Sequence, residues 1–493
     1  MEQQNKNRRR ESASADDMFS EAVALHHAGK LNNALLLYNQ TIAASPSYAK
    51  AYNNRGIIYL ELKQYNEALA NFDKAIALNP DYADAHSNRG LVLYSLKQYA
   101  AAAPSYDKAI ALNPNHTLAY NNRGLLRFRL GQYGVTAADC GRAIALNPTY
   151  AEAYNTRGIA LHRMKHYDEA LADFEKAIAL SPSYAEPHWN KGNLKLLLGE
   201  YEEGWKLYEW RWKKKDVDAI ARTFRQPLWL GKESLAGKTI FLHSEQGLGD
   251  TLQFCRYAPL VEKLGARVIL EAQKSLIPLL ATLEGTCAII PLGTTPDAFD
   301  FHCPIMSLPL AFKTTVDTIP AATPYLFTDP QNLKAWQERL GAKSKPRIGL
   351  CWSGAATNGN DKNRSMPLST LAPLMECDVE YHAIQNEVRP QDAEFLAKSG
   401  IHFHEPDLHN FLDTASLASE MDVIIAVDTS IAHLAGALGG KLWVLLPCVP
   451  SDFRWMETRQ DSPWYPSARL FRQTRIGDWN GVIARVKAEL EQL

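Results

Sequence analysis

The hydrophobic pattern of the chain changes near residue 238, and the two patterns predict two different architectures. Over residues 15–218, small and aromatic residues recur with helical spacing inside a longer period of 34 residues. Prolines at 46, 80, 114, 148 and 182 and glycines at 56, 90, 124, 158 and 192 mark this period. Glycine and alanine let two helices approach closely, and each proline closes the second helix of a unit. The pattern predicts an array of stacked helix pairs.

From Lys238 onward, apolar runs of strand length alternate with amphipathic segments of helix length. Strands that alternate with helices form parallel sheets. A connector over residues 320–330 separates two sets of these elements, so we predict two α/β lobes, over residues 238–330 and 331–493. The predicted fold class is α + α/β. The predicted strands cover residues 239–243, 266–271, 287–292, 347–352, 379–384, 423–427 and 442–446.

The composition narrows the possible compartments and partners. A net charge of −1 argues against bulk attraction to nucleic acid or an anionic membrane. The seven cysteines form no Cys-x-x-Cys pair, which argues against a disulfide framework or a zinc site. Residues 1–14 are polar and carry three consecutive arginines, so we predict a disordered lead-in rather than a signal peptide. No apolar run reaches membrane-spanning length, and we expect a cytoplasmic protein.

Period and residue identity together make the array over residues 15–218 resemble the tetratricopeptide repeat. We predict six units, the first beginning near Ala15 and the last at Ala185. The last unit is degenerate, because Gly204 and Arg211 replace the expected alanines.

In four of the five units from Ala49 onward, the sixth position is an asparagine. In the remaining unit it is Thr156. An amide donates to and accepts from a peptide backbone, so such a ladder could hold an extended chain. It is similar to the ladder with which O-linked N-acetylglucosamine transferases grip protein substrates. The alternative is a solvated face repeated by duplication. The next position is basic in each unit, which predicts a basic stripe. The ladder asparagines are Asn54, Asn88, Asn122 and Asn190, and the basic residues are Arg55, Arg89, Arg123, Arg157 and Lys191.

Between array and lobes, residues 202–212 are rich in aromatic side chains, which we expect to join the last repeat to its neighbour. Residues 219–237 are predicted to be a linker. Asp216-Val217-Asp218 has the form of a metal-binding D-x-D motif, but no strand precedes it, so we predict no metal site there.

Residues 422–447 predict a buried strand, a polar turn, a short helix and a second buried strand. Asp428, Thr429 and Ser430 are good capping residues for that helix, and His433 shares their face of its first turn. A helix that starts at the carboxyl end of a parallel strand favours bound phosphate. The alternative is that these side chains only cap and fill space.

Two motifs make residues 238–493 resemble the heptosyltransferases and their relatives, glycosyltransferases of the GT-B fold that have two facing Rossmann-like lobes. The first is Gly247-Leu248-Gly249-Asp250, followed by Thr251-Leu252-Gln253-Phe254 and Arg256-Tyr257. The second runs from Asp428 to Gly439. The resemblance implies an acceptor-side lobe over 238–330 and a nucleotide-sugar lobe over 331–493.

The resemblance also implies roles for individual residues. Asp250, which closes the Gly247–Gly249 glycine turn, would be the general base for an acceptor hydroxyl. The donor diphosphate would bind Asp428, Thr429, Ser430 and His433, near the loop that contains Ser353 and Gly354. The family's phosphate-binding lysine maps onto Arg364, with Lys362 as the second choice, and Gln385 could contact the nucleoside. An arginine and fixed N–H groups would replace a metal, so no metal or other cofactor is expected.

The sequence therefore predicts a metal-independent, inverting glycosyltransferase. It would move a sugar from a nucleotide-sugar to a protein or glycan acceptor that the repeats partly recruit. One alternative is a non-catalytic adaptor with a degenerate catalytic domain. Another is a dinucleotide-dependent enzyme, since Glu271 follows the glycine turn at the distance of a ribose-binding acid, although Leu252 replaces the third glycine of that motif.

Overall fold

The computed structural model describes residues 2–214, 222–285, 288–449 and 452–493. The Asp216-Val217-Asp218 motif lies outside the described residues. The chain divides into two compact units, residues 1–187 and residues 188–493, and each is described by itself.

The predicted period of helix pairs is confirmed. Each repeat consists of two antiparallel helices joined by a tight turn. The first helix, α1, begins at Glu2 and so includes the lead-in for which the sequence predicted disorder. The helices of the repeats are α1 (Glu2–His27), α2 (Leu31–Ala44), α3 (Ala49–Glu61), α4 (Tyr65–Leu78), α5 (Ala83–Ser95), α6 (Tyr99–Leu112), α7 (Thr117–Arg129), α8 (Tyr133–Leu146), α9 (Ala151–Arg163), α10 (Tyr167–Leu180), α11 (Ala185–Leu197) and α12 (Tyr201–Tyr208).

The recurring glycine explains how the two helices of a repeat pack. A Cβ at Gly158 would lie 2.6 Å from a ring carbon of Phe174, and one at Gly56 would lie 2.8 Å from a ring carbon of Phe72. An aromatic ring fills the space of the missing side chain at Gly56, Gly90 and Gly158, and the Cys140 sulfur fills it at Gly124, so these repeats need glycine at this position.

The predicted basic stripe is wrong, because its arginines are paired inside the array. Arg123 forms ion pairs with Asp139 of its own repeat and with Asp107 of the preceding repeat, at 2.7 Å each. Arg157 binds both carboxylate oxygens of Asp173 at 2.7 Å. These arginines therefore tie helices together.

The asparagine ladder is half-buried, and part of its hydrogen-bonding capacity is used within the array. Asn54 donates to the Tyr38 hydroxyl at 3.4 Å, and Asn88 donates to the Asn53 amide oxygen at 3.0 Å. Asn122 is also half-buried, and Asn190 lies in the second unit. Peptide binding by this ladder stays a prediction.

The second unit contains parallel sheets, as the alternating pattern predicted. In the described residues, one sheet has the strand order β3-β2-β1-β4, and the other has the order β10-β11-β9-β8-β5-β6-β7, in which only β10 is antiparallel. The strands are β1 (Thr239–His243), β2 (Arg267–Ala272), β3 (Ala288–Pro291), β4 (Phe301–Pro304), β5 (Arg347–Cys351), β6 (Glu380–Ala383), β7 (His402–Phe403), β8 (Val423–Val427), β9 (Leu442–Leu446), β10 (Asp461–Ser462) and β11 (Tyr465–Arg472).

In the larger sheet, the chain passes from β5 to β6 and β7 on one side and then returns to β8 and β9 on the other. The strand order therefore reverses between β5 and β8, and ligands of open α/β sheets bind where the carboxyl ends of two such strands meet. The remaining helices cover the sheets: α13 (Leu248–Phe254), α14 (Ala258–Glu262), α15 (Ile277–Leu280), α16 (Leu308–Ala311), α17 (Pro330–Leu340), α18 (Asp361–Arg364), α19 (Ala393–Lys398), α20 (Phe411–Ser419), α21 (Ser430–Ala437) and α22 (Trp479–Leu490). Residues 368–376, predicted as an α-helix, form a 3₁₀-helix that contains Pro373.

Helix α12 is part of the α/β core. Trp205 is buried and packs edge to face against Phe254, Phe453 and Trp464. The boundary between the compact units therefore precedes residue 188, whereas the sequence predicted that the array extends to residue 218. Among the described helices, none is both long and apolar enough to cross a bilayer.

Candidate functional site

One cavity of about 750 Å³ contains nearly all of the predicted site residues. Its walls come from the glycine turn before α13 and from the carboxyl ends of β5 and β8. Lys362 does not line the cavity and is exposed. The predicted residues that line it are Gly247, Gly249, Asp250, Ser353, Gly354, Arg364, Gln385, Asp428, Thr429, Ser430 and His433.

Helices α13 and α21 approach each other at this cavity with no room for a side chain between them. A Cβ on Gly249 would lie 2.6 Å from Cδ2 of His433. The two helices start at the carboxyl ends of strands in different sheets, so the contact brings the two lobes' helix starts together.

His433 is a buried imidazole with a fixed orientation. Its Nδ1 lies 2.9 Å from the Tyr465 hydroxyl, and its ring stacks on Trp455 with an interplanar angle of 18°. Burial, reinforced by Arg454, Arg256 and Arg364, holds the pKa of His433 well below 6.5. The imidazole is therefore neutral at physiological pH.

The capping role predicted for Asp428, Thr429 and Ser430 is wrong. Thr429 occupies the N-cap position of α21, but its side chain makes no capping hydrogen bond and instead donates to the Val427 carbonyl at 3.3 Å. The Asp428 carboxylate accepts from Nε1 of Trp455 at 2.8 Å. Because Thr429 does not cap the start of α21, the N–H groups of Ser430 and Ile431 have no side-chain partner among the described residues, and both residues line the cavity, whereas the Ala432 N–H donates to the Thr429 carbonyl.

Burial also changes the pKa of Asp428, which lies just before α21. Desolvation and the nearby Asp452 carboxylate raise the pKa of Asp428 to about 6, against the lowering effect of the Trp455 hydrogen bond and of Arg364 and Arg454. Asp428 consequently titrates near neutral pH.

Arg364 is the cation that the structure brings to the junction of β5 and β8. Its Nη1 donates to the Asp428 carbonyl at 2.6 Å. Its guanidinium lies directly over Gly354, where a Cβ would come within 2.5 Å of Nη2. Gly354 is therefore needed for the close approach of the arginine. Of the two predicted cations, only Arg364 lines the cavity.

Gln385 lines the cavity, but its amide is used to hold the β5 loop. Its Oε1 accepts from the backbone N–H groups of Trp352 and Ser353, at 2.9 and 3.2 Å. Its Nε2 donates to the Ser353 hydroxyl at 3.1 Å and to the Glu387 carbonyl at 2.7 Å. These bonds give Gln385 a structural role, and a nucleoside contact stays a prediction.

Asp250 faces the same cavity and is held on both of its oxygens. Oδ2 accepts from the Gly247 N–H at 2.9 Å, and Oδ1 pairs with Arg454. Arg454 also binds Asp452 at 2.7 Å and the Gln253 amide oxygen. Burial raises the pKa of Asp250, while Arg454 opposes the shift. About a fifth of the Asp250 side chain remains exposed, so a ligand can reach it.

The sequence indicates Arg454 and Trp455, which follow Leu446-Pro447, as possible donor-pocket residues, and Arg454 does line the cavity. Sequence reasoning missed that Arg454 pairs with both Asp250 and Asp452. Arg454 and Asp452 lie in an irregular segment without a motif, about two hundred residues after Asp250.

Sequence reasoning also missed Trp189 and Asn193 of α11, for which a signal did exist. Both line the cavity. The degenerate repeat departs from its consensus at these two positions. In the four preceding repeats, the residues equivalent to Trp189 are Asn53, Ser87, Asn121 and Asn155. The residues equivalent to Asn193 are Ile57, Leu91, Leu125 and Ile159.

The acid that a dinucleotide-binding enzyme would need is not at the cavity. Glu271 is fully buried, pairs with Arg222 and accepts from the Gly293 N–H at 2.8 Å. The dinucleotide interpretation therefore loses its ribose-binding residue.

The contact between Gly249 and His433 gives a direct test of this geometry. We expect Gly249→Ala to lower the free energy of unfolding by about 1–3 kcal/mol, because its methyl group overlaps the imidazole. Gly247→Ala is the matched control, since its Cβ would lie 3.5 Å from the nearest atom outside its chain neighbours and its φ of −74° suits alanine. Chemical denaturation measures both. Equal stability of the two variants would contradict the close approach.

Comparison with known proteins identifies the repeats. Models described as tetratricopeptide repeat match residues 83–116 and 151–184, and others of the same type match 37–70, 58–97 and 105–134. The chain is 27% identical over 326 residues to Protein FlbA of Caulobacter vibrioides, a match that covers 60% of this chain and 53% of that protein. The chain thus spans about half the length of this curated relative.

Two solved structures are also similar to part of this chain. YrrB, a tetratricopeptide protein with an unusual peptide-binding site, is 26% identical with a TM-score of 0.29, and the match covers 34% of this chain and 88% of YrrB. PilW, a type IV pilus biogenesis factor, is 19% identical with a TM-score of 0.38, and the match covers 42% of this chain and 98% of PilW. The chain is a tetratricopeptide-repeat protein with a C-terminal α/β domain.

Proposed function

We propose that the α/β domain is a glycosyltransferase that moves a sugar from a nucleotide-sugar to an acceptor hydroxyl. The observation that carries the proposal is the shared cavity, which is lined by the carboxylate of Asp250, by the start of α21 with His433, and by Arg364. Such a transfer needs a proton acceptor and an anion-binding site that face the same cavity.

The donor diphosphate would bind at the start of α21. Its backbone N–H groups and helix dipole favour an anion, and Arg364 adds a fixed positive charge. These groups stabilise the charge that develops on the leaving nucleoside diphosphate. This is the task a metal ion performs in other enzymes, so we propose a metal-independent reaction.

Asp250 would remove the proton of the acceptor hydroxyl as it attacks the anomeric carbon. Its raised pKa makes it a better base than an exposed aspartate, and Arg454 fixes its orientation. The hydroxyl would attack the anomeric carbon on the face opposite the leaving group, and its proton would pass to Asp250. A single displacement of this kind inverts the anomeric centre.

The acceptor, protein or glycan, would be recruited partly by the repeats. Tetratricopeptide arrays present an extended binding surface, and the asparagine ladder could bind a peptide backbone. The second candidate function is an adaptor in which the repeats bind a partner and the α/β domain is inactive. The matches to tetratricopeptide-repeat models favour it, since such arrays present binding surfaces for partners.

An activity assay separates these two functions. The full chain is incubated with a panel of nucleotide-sugars in EDTA, and donor hydrolysis or transfer is followed. We expect turnover in EDTA, and we expect Asp250→Asn to lower kcat by about 10²–10⁴-fold with little change in donor affinity. Asp317→Asn, on an exposed 3₁₀ turn away from the cavity, is the control. Failure of the wild-type chain to bind any nucleotide-sugar would favour the adaptor.

The two predicted cations can be distinguished by donor binding. Arg364→Ala removes the cation at the cavity, so we expect its affinity for the nucleotide-sugar to fall by about 10- to 100-fold. Lys362→Ala, two residues earlier on α18, removes an exposed cation that does not line the cavity and should change the affinity little. Isothermal titration calorimetry measures both variants. A larger loss in Lys362→Ala would overturn the assignment.

The raised pKa of Asp428 predicts a pH dependence of donor binding. Above pH 6 the carboxylate ionises and repels the diphosphate, so the donor should bind more weakly as the pH rises from 5.5 to 7.5, by roughly tenfold. Nucleotide-sugar diphosphates do not titrate in this range, which leaves the protein as the source of the effect.

Asp428→Asn keeps a hydrogen-bond acceptor for Trp455 but cannot ionise, so this variant should show a much flatter profile. Asp250 and Asp452 also face the cavity and are unchanged in this variant. The difference between the pH profiles of wild type and Asp428→Asn therefore comes from Asp428. An identical slope in both proteins would rule out this explanation.

A further inference from the structure

A buried chain of polar groups lies behind His433, on the side away from the cavity. The Tyr465 hydroxyl contacts Nδ1 of His433, and the guanidinium of Arg256 lies 4.8 Å from the centre of the Tyr465 ring. Arg256 donates to the Tyr325 hydroxyl at 2.8 Å, and Tyr325 donates to the Leu252 carbonyl at 2.9 Å. Tyr465 is fully buried, so its hydroxyl is shielded from water.

The imidazole of His433 cannot turn within this environment. One face stacks on Trp455, and the Cδ2–Nε2 edge lies against Gly249 and the cavity. Nδ1 is thereby held at Tyr465, and Nε2 is directed to the cavity side. Since the ring is neutral, one nitrogen carries a proton and the other a lone pair, and the neighbours decide which.

We propose that Tyr465 is a positioning residue that donates its hydroxyl proton to Nδ1, and so fixes His433 as the tautomer that presents an N–H from Nε2 to the cavity. Arg256 lies behind the phenol, and its positive charge favours this tautomer. The charge attracts a lone pair on Nδ1 and would repel an N–H there. On the cavity side, His433 also senses the cations Arg454 and Arg364. The carboxylates of Asp250, Asp428 and Asp452 line the same cavity and outnumber these two arginines, so the net charge favours an N–H that points toward the cavity.

This assignment gives His433 a definite role, which rests on the proposed function. Nε2–H would donate a hydrogen bond to a diphosphate oxygen of the donor. A neutral donor of this kind binds the phosphate without titrating near neutral pH. In the other tautomer, the Nε2 lone pair would face the phosphate and repel it.

Nitrogen-15 spectra of histidine-labelled protein test the tautomer without any substrate. His433→Gln identifies the His433 signals among those of the 14 histidines. We expect the unprotonated nitrogen to be Nδ1 in the wild type, and a mixture of tautomers in Tyr465→Phe. A protonated Nδ1 in the wild type, or an unchanged tautomer in Tyr465→Phe, would overturn the proposal.

Tyr381→Phe is the matched control, because it removes a buried hydroxyl that bonds to the Leu374 carbonyl in the same lobe and does not contact His433. Tyr381→Phe should lower the free energy of unfolding as Tyr465→Phe does, and it should leave the His433 tautomer unchanged. If Tyr465→Phe does not fold, the wild-type spectrum alone decides.

Donor binding supplies a second readout. We expect Tyr465→Phe to weaken nucleotide-sugar binding by about three- to tenfold. His433→Gln, which can place an amide N–H near the Nε2 position, should bind the donor more tightly than His433→Asn, and the reverse order would count against the proposal. If the wild type binds no nucleotide-sugar, the proposed function fails, while the spectra still decide the tautomer.

Discussion

The site depends on one steric constraint, the absence of a side chain at Gly249. Only glycine lets α13 come within van der Waals distance of the His433 ring on α21. Each helix begins at the carboxyl edge of its own sheet, so their contact brings two helix starts to one cavity. Asp250 follows Gly249 directly, and His433 lies one turn into α21. The distance between the proposed proton acceptor and the proposed phosphate-binding site is therefore set by backbone packing rather than by flexible side chains.

Burying charged groups around the contact between Gly249 and His433 costs free energy, and ion pairs offset this cost. Asp250 and Asp452 share Arg454, which compensates two carboxylates that water reaches poorly. Arg364 donates to a backbone carbonyl, and in the described part of the chain no carboxylate lies closer to it than 3.9 Å. The two arginines therefore differ in environment: Arg454 pairs with two carboxylates of the protein, whereas Arg364 is the one proposed to bind an anion.

Local patterns predicted most of the fold, and long-range contacts caused most of the errors. The 34-residue period and the alternation of strands with helices depend on near neighbours, so the sequence alone indicated the helix pairs and the parallel sheets. The capping role of Thr429 failed because its hydroxyl found a partner in Val427. The pairing of Arg454 with Asp250 was missed because it joins residues about two hundred positions apart. The arginines of the array were misassigned because their carboxylate partners lie on other helices, of the same repeat or of the preceding one.

The degenerate last repeat shows how a lost pattern can carry information. A repeat that only stacks on its neighbours keeps its consensus, since the same packing problem recurs in every unit. Helix α11 departs from that consensus at Trp189 and Asn193, and both residues line the cavity of the α/β domain. Partner helix α12 buries Trp205 in the α/β core, which removes the need for a regular repeat interface. The last repeat therefore forms a wall of this cavity while it retains the backbone geometry of a repeat, and its irregular positions follow from that change of environment.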